Sequence, residues 1–150
     1  MLRTWLQLTL LCGALDAVWA SLVGLVHADN DPGALWRGVA AGPFGEAARS
    51  WGADGAVLGL AVHFALMAVM VAGGLLLARR TMLGEVAPWK AGALYGIALY
   101  SLMYGLVLPW RFGTAFPDPD RLRTALTLFP HVALVGIPVF WLVRRKPPLS

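Results

Sequence analysis

The chain alternates between four long apolar stretches and shorter polar ones. The apolar stretches cover about residues 5–26, 56–78, 89–108 and 124–143. The second of them contains one polar side chain, His63, and is followed directly by Arg79 and Arg80. At 1.5 Å per residue, about 20 helical residues cross a hydrocarbon layer about 30 Å thick. The pattern therefore predicts an all-α protein, a transmembrane four-helix antiparallel bundle.

The first polar stretch predicts a short interfacial helix. Asp31 followed by Pro32 is typical of an N-cap and a first helical residue, and Gly42 and Pro43 are expected to end a helix over residues 34–41. The tryptophans and charged residues around it suit the headgroup zone of a membrane. We expect this loop to be either an ordered connector or a lid over an outward-facing site.

Acidic residues and prolines predict the boundaries of the later spans. Asp54 is expected to cap the second span, and Asp118 with Pro119 is expected to begin the fourth. Pro130 and Pro138 interrupt the fourth apolar stretch, so a kinked helix is predicted there.

Small residues recur at helical spacing in the first three spans. In the first they form a flat stripe that lets another helix approach closely, and in the second Gly55 and Gly59 form a small-xxx-small pair. The stripe of the first span consists of Gly13, Ala17, Ala20 and Gly24. A face of the third span consists of Gly92, Gly96, Tyr100, Met103 and Tyr104.

The composition supports a membrane location. Of the 150 residues, 59% are hydrophobic and 13% charged, and the mean hydropathy is +0.69. An average soluble domain has about 25% charged residues. One compact membrane domain over residues 1–150 fits the length, and a single cysteine, Cys12, excludes an internal disulfide.

The first apolar stretch could pass for a signal peptide. However, Asp16 interrupts it and it is long enough to span a membrane, so a retained helix is expected.

The basic residues predict the orientation. Those at one set of span ends are Arg3, Arg79, Arg80, Lys90, Arg144, Arg145 and Lys146. The positive-inside rule then favours both termini in the cytoplasm. We expect Arg144, Arg145 and Lys146 to meet anionic lipid headgroups, and nucleic acid is an improbable partner because the basic residues lie at membrane edges.

Polar side chains from all four spans fall at similar depth. Counted from the cytoplasmic charges at 1.5 Å per residue, they lie roughly 16 to 24 Å into the membrane. They are Asp16, His63, Ser101, Tyr104 and His131. An ionisable group at membrane depth is costly and is usually paired or functional. Asp16, His63 and His131, with Tyr100 and Tyr104, are therefore the candidate ligand or proton site.

Three kinds of chemistry suit these residues. Two imidazoles could ligate a b-type haem axially. Asp16 with His63 and His131 could hold a divalent metal. Without any cofactor, Asp, His and Tyr could relay protons or bind the head of a quinone or another lipid-soluble ligand.

No motif decides among these possibilities. GxSxG, GxxxxGK and GxGxxG are all absent from the sequence. Two further classes stay open. One is a structural or accessory subunit whose polar residues only hold helices together; its partners would be membrane lipids, other membrane subunits or a second copy of itself. The other is a membrane enzyme that acts on a lipid-soluble substrate. Met67, Met70 and Met103 are expected to be packing residues.

Several segments resemble a group of small bacterial inner-membrane proteins with four predicted spans and no assigned activity. The segments are GALDAVWA (13–20), AGPFGEAA (41–48), LGLAVHF (58–64), LYGIALYSLMY (94–104), VLP (107–109) and HVALVGIP (131–138). The resemblance implies a four-span topology and points to Asp16, His63, His131 and Pro138. At Tyr104 the pattern of that group has Asn, so the resemblance assigns Tyr104 no role.

Overall fold

The computed structural model describes residues 2–27 and 31–144 and contains only helices and turns within them. Helix α1 is Leu2–His27, α2 is Pro32–Phe44, α3 is Gly52–Arg80 and α4 is Pro88–Leu102. Helix α5 is Leu108–Phe112, α6 is Arg121–Phe129 and α7 is Ile137–Arg144. Short 3₁₀ turns at Glu46–Ser50 and Met82–Gly84 connect α2 to α3 and α3 to α4. The predicted all-α helical bundle is confirmed.

Four helical stretches are long and apolar enough to cross a membrane. We call them span 1 (Leu2–Val26), span 2 (Gly52–Arg80), span 3 (Pro88–Phe112) and span 4 (Arg121–Val143). Each contains the corresponding stretch predicted from the sequence. Span 4 packs against spans 1, 2 and 3, and α2 lies on α3 at the end of the bundle that carries the first loop.

Spans 3 and 4 each contain a wide π-helical turn. The turn Met103–Val107 joins α4 to α5, and the turn Pro130–Gly136 joins α6 to α7. Prolines 109 and 138 follow them closely, and a proline has no N–H to donate to the carbonyl four residues earlier. The prolines therefore change the hydrogen-bond register of both spans at the depth of the candidate residues.

The largest buried cluster lies on one side of the polar layer. Its members come from all four spans, and each lies between the polar residues of its own span and the end of the bundle that carries the termini. They are Leu8, Cys12, Met67, Val71, Leu75, Ala91, Tyr95, Leu99, Val135, Val139 and Phe140. This half of the bundle is therefore an apolar block.

The expected caps are correct at α2 and wrong at spans 2 and 4. Asp31 caps α2 by accepting from the backbone N–H of Gly33, and Arg37 also donates to its carboxylate. These hydrogen bonds hold the pKa of Asp31 below its ordinary value, and the hydrogen bond from Arg37 has the largest effect. Span 2 begins at Gly52, which places Asp54 inside its first turn, and span 4 is capped by Asp120 instead of Asp118.

Arg111, near the end of span 3, hydrogen-bonds to the end of α2. Its Nε donates to Gly42 O at 2.7 Å and its Nη2 donates to Ala41 O at 2.7 Å. Both acceptors belong to the last turn of α2, where free carbonyls and the helix dipole favour a positive charge. The helix passes through Pro43 and ends at Phe44, later than the sequence predicts.

Replacing Arg111 by methionine is expected to lower the free energy of unfolding by about 1–2 kcal/mol, because two charge-assisted hydrogen bonds are lost at a partly buried site. Denaturant titration in detergent measures this change. Arg121→Met, at an exposed arginine that begins α6, is the matched control and should change stability by less than about 0.5 kcal/mol. Equal effects of the two variants would contradict the role of Arg111.

Candidate functional site

Asp16 of span 1 and His63 of span 2 form an ionisable pair within the membrane-spanning region. Asp16 Oδ2 lies 3.7 Å from His63 Nδ1, and the two side chains are 16% and 12% exposed. His63 Nε2 lies 3.0 Å from the carbonyl oxygen of Gly13, three residues before Asp16 on the same helix. Span 1 therefore presents two oxygen atoms to the two nitrogens of one imidazole ring.

This geometry determines where protons must lie. A carbonyl oxygen only accepts hydrogen bonds, so His63 Nε2 carries a hydrogen and donates it to Gly13. An ionised carboxylate also only accepts, so a direct hydrogen bond to Nδ1 would need another proton, either on Nδ1 or on the Asp16 carboxyl group, whereas a bridging water would donate to both atoms. The separation of 3.7 Å exceeds a direct hydrogen bond and suits attraction between charges or a bridging water. The pair can thus hold one exchangeable proton, on Nδ1 or on the carboxyl group.

Aromatic rings enclose His63. Trp36 of α2 meets the imidazole edge-on with ring centroids 5.3 Å apart, and Phe64 does the same at 5.4 Å. Trp36 reaches this position because α2 lies directly on Gly59, where an added Cβ would be 1.7 Å from the carbonyl oxygen of Trp36. The first loop therefore covers the Asp16–His63 pair, and the partner of the Gly59 surface is α2.

His131 lies among the tyrosines of span 3. Its Nδ1 is 2.8 Å from the carbonyl oxygen of Thr127, so Nδ1 donates its hydrogen and the neutral ring keeps a lone pair on Nε2. The rings of Tyr100 and Tyr104 stack on each other at 4.8 Å and meet the His131 imidazole edge-on at 5.9 and 5.7 Å. Gly96 allows this contact, because a Cβ there would be 2.4 Å from the carbonyl oxygen of His131.

The candidate residues form two groups. Asp16 lies directly beside His63, and His131, Tyr100 and Tyr104 contact one another.

The haem and metal hypotheses stay predictions, and the arrangement of the described residues favours the alternative without a cofactor. Both ring nitrogens of His63 face oxygen atoms of span 1, so a bond from either nitrogen to iron would have to replace one of these contacts. Within residues 2–27 and 31–144, no three His, Cys, Asp or Glu side chains are grouped so that they could hold a metal ion. The set of Asp16, His63 and His131 is thus not arranged as a three-ligand centre.

Sequence reasoning missed three residues that shape the site. Trp36 of the first loop lies against His63, a contact that the sequence pattern does not indicate. Thr127 orients His131 from one helical turn away, a spacing of four residues that the sequence does contain. Trp19 donates from Nε1 to Leu126 O at 2.9 Å, and this is the carbonyl that Pro130, without an N–H, leaves free. The sequence did contain a signal for this contact, because Pro130 lies four residues after Leu126 and cannot donate a hydrogen bond to its carbonyl.

The proposed headgroup contacts fall at the end of the described chain. Arg144 is the last residue of α7, and its side chain, Arg145 and Lys146 lie outside the described residues. Their interaction with anionic lipid stays a prediction.

Comparison with known proteins returns no relative: no protein-family model, no curated protein and no solved structure matches the chain. The resemblance to small four-span inner-membrane proteins therefore stays a prediction, and any function must be argued from the residues themselves.

Proposed function

We propose that the protein is a multi-pass membrane protein that holds and exchanges a proton at the Asp16–His63 pair. The observation that carries this proposal is the position of the His63 ring between two oxygen acceptors, Gly13 O and the Asp16 carboxylate. An exchangeable proton held at this depth is typical of proton relays in membrane proteins. The distribution of basic residues supports both termini in the cytoplasm, and the resemblance to small four-span proteins supports a bacterial inner membrane as the location.

A second candidate function is favoured by a groove beside the pair. The groove has a volume of about 290 Å³ and is lined by Ala17, Val18, Ser21, Leu22, Trp36 and Leu60. It runs between α1, α2 and α3. Its lining includes Ala17, the residue that follows Asp16, and Trp36, whose ring contacts His63. Its lining is apolar except for Ser21, and several of its side chains are exposed on the outside of the bundle. A lipid-soluble ligand could lie there with its polar head toward Asp16 and His63.

Replacing Asp16 by asparagine tests the proton-holding function. In the wild-type protein in lipid nanodiscs, we expect about one proton per molecule on the pair. It would be detected either as a protonated Nδ1 of His63, distinguished from the other histidines by site-specific assignment in ¹⁵N NMR, or as the infrared band of a protonated Asp16 carboxyl group. Both signals should be absent in Asp16→Asn, because an amide cannot bind this proton and removes the negative charge that would favour a doubly protonated His63.

The matched control for Asp16→Asn is Asp54→Asn, an exposed carboxylate in the first turn of span 2, which should leave both signals unchanged. A wild-type protein with neither signal would contradict the proposal. If Asp16→Asn then lowered only the unfolding free energy, the pair would have a structural role in joining spans 1 and 2.

A further inference from the structure

Two arginine side chains meet on one aromatic ring at the first-loop end of the bundle. The guanidinium carbon of Arg111 lies 4.9 Å from the centre of the Phe112 ring, and that of Arg49 lies 5.6 Å from it. Arg49 belongs to the 3₁₀ turn that precedes span 2, whereas Arg111 and Phe112 belong to the end of span 3. A cation over an aromatic face within about 6 Å of its centre is attracted to it. We call Arg49, Arg111 and Phe112 the arginine cluster.

Packing holds the arginine cluster in place. The Phe112 ring packs against buried alanines of α2 and of the 3₁₀ turn that follows it. These alanines are Ala40, Ala41 and Ala48, and all three are 0% exposed. Arg49 in turn lies against α2, because a Cβ added at Gly38 would be 3.1 Å from its Nη1. The two guanidinium groups are therefore positioned before any ligand arrives, which lowers the entropy cost of binding one.

The arginine cluster has unused donors and a positive charge. A guanidinium has five N–H donors, of which Arg111 uses two on carbonyl oxygens of α2 and Arg49 uses one on Glu46. Within residues 2–27 and 31–144, Arg111 forms no ion pair. The ion pair of Arg49 with Glu46 is open to solvent, with side chains 50% and 63% exposed, and such pairs contribute little. Two guanidinium groups and one carboxylate therefore leave a site that suits an anion.

The arginine cluster lies at the level of the lipid headgroups. Span 3 has 25 residues, or about 37 Å of helix, whereas the hydrocarbon layer is about 30 Å thick, so its end at Phe112 reaches the edge of that layer. The same end of the bundle exposes three aromatic side chains, with Trp110 84%, Phe44 48% and Trp51 42% exposed. Tryptophan is enriched at this level of membrane proteins. The anion nearest to the cluster is therefore a lipid phosphate.

We propose that the arginine cluster binds the phosphate of an anionic phospholipid, in the leaflet on the side of the first loop. Guanidinium groups bind phosphate oxygens through paired N–H donors, and each arginine near an anionic membrane surface strengthens binding about fivefold. A zwitterionic lipid fits less well, because its ammonium group would add a positive charge beside a cluster that is already positive. The site is separate from the Asp16–His63 pair and from the basic residues that follow span 4.

Lipid binding to the full-length protein in detergent tests this proposal. Native mass spectrometry would give the apparent Kd of phosphatidylglycerol, an anionic probe, and of phosphatidylcholine, a zwitterionic one. We expect phosphatidylglycerol to bind about fivefold more tightly. Inorganic phosphate in large excess should not displace it, because the lipid also places its chains against the apolar side of the bundle.

Two variants at the arginine cluster should change this affinity in opposite directions. Arg49→Gln removes one guanidinium and is expected to weaken phosphatidylglycerol binding about fivefold. Glu46→Gln removes the carboxylate that pairs with Arg49 and is expected to strengthen binding by a similar factor. Arg121→Gln is the matched control, because it removes an exposed arginine on the same side of the bundle but outside the cluster, and it should leave the Kd unchanged.

Three results would overturn the proposal. An equal loss in Arg49→Gln and Arg121→Gln would mean that the whole charged face attracts lipid, without a site. Equal affinity for the two lipids would contradict the selection of an anionic one, and displacement by inorganic phosphate would mean that the cluster takes a free anion. If Arg49→Gln did not fold, Glu46→Gln at a 63% exposed side chain would decide alone, and an affinity that did not rise would contradict the site.

Discussion

Replacing Gly59 by alanine is expected to lower the free energy of unfolding by about 3 kcal/mol, at the upper end of the usual cost of overpacking. The added Cβ would be 1.7 Å from the carbonyl oxygen of Trp36 and 2.5 Å from its carbonyl carbon. These are backbone atoms, so α2 as a whole must move away from span 2. Denaturant titration measures the loss of stability, and the ¹⁵N resonances of His63 should shift because Trp36 no longer lies against the imidazole.

The control for this variant is Gly42→Ala, at a glycine of α2, the helix that packs on Gly59. A Cβ there would meet no other atom within 4 Å, so the substitution should be neutral or stabilise the helix by less than about 1 kcal/mol. Gly59→Ala with unchanged stability and unchanged His63 resonances would mean that α2 does not rest on span 2 as described.

Replacing Gly96 by alanine is expected to cost about 2–3 kcal/mol and to disturb the site from its other side. The Cβ would be 2.4 Å from His131 O and 2.5 Å from the Cα of Val132, so span 4 must shift away from span 3. His131 would then leave the edges of Tyr100 and Tyr104. We expect a lower midpoint in thermal unfolding, together with altered ¹⁵N resonances of His131 and unaltered resonances of His63.

Gly24→Ala is the control for this second variant, because its Cβ would meet only the side chain of Leu35, at an ordinary 3.8 Å. Its unfolding midpoint should stay within about 2 °C of the wild-type value, as for a substitution within ±0.5 kcal/mol. If Gly24→Ala were as destabilising as Gly96→Ala, the cost would come from glycine replacement in general and not from the close approach of spans 3 and 4.

The positions of the spans could be predicted because hydrocarbon imposes a length and a composition on every crossing helix. The residues at which the helices begin were harder to predict. Asp31 was recognised because proline follows it at once, whereas Asp118, also followed by proline, accepts instead from the N–H of Asp120. The residue that caps α6 is Asp120, whose carboxylate accepts from Leu122 N and Arg123 N. Two closely spaced acids compete for one cap, and the sequence pattern does not rank them.

The depth of the polar residues could also be predicted, but their neighbours could not. Counting along a helix gives the height of His63 and His131, yet the rotation of each span about its axis decides which side chains meet. The π-helical turns change that rotation partway along spans 3 and 4. The contact between Trp36 and His63 depends on how a loop helix folds back, which hydrophobic periodicity does not specify.

The two hydrogen bonds from Arg111 to the last turn of α2 restrict how a molecule could arrive at His63. Helix α2 is held at that end by span 3 and along its length by the surface of span 2 at Gly59. Entry from the aqueous phase above the first loop would require the Arg111 guanidinium to break its hydrogen bonds to the carbonyls of Ala41 and Gly42. Sideways entry from the bilayer, past Val18 and Leu22, requires no bond to break. Any bulky molecule that reaches the His63 imidazole should therefore be soluble in lipid.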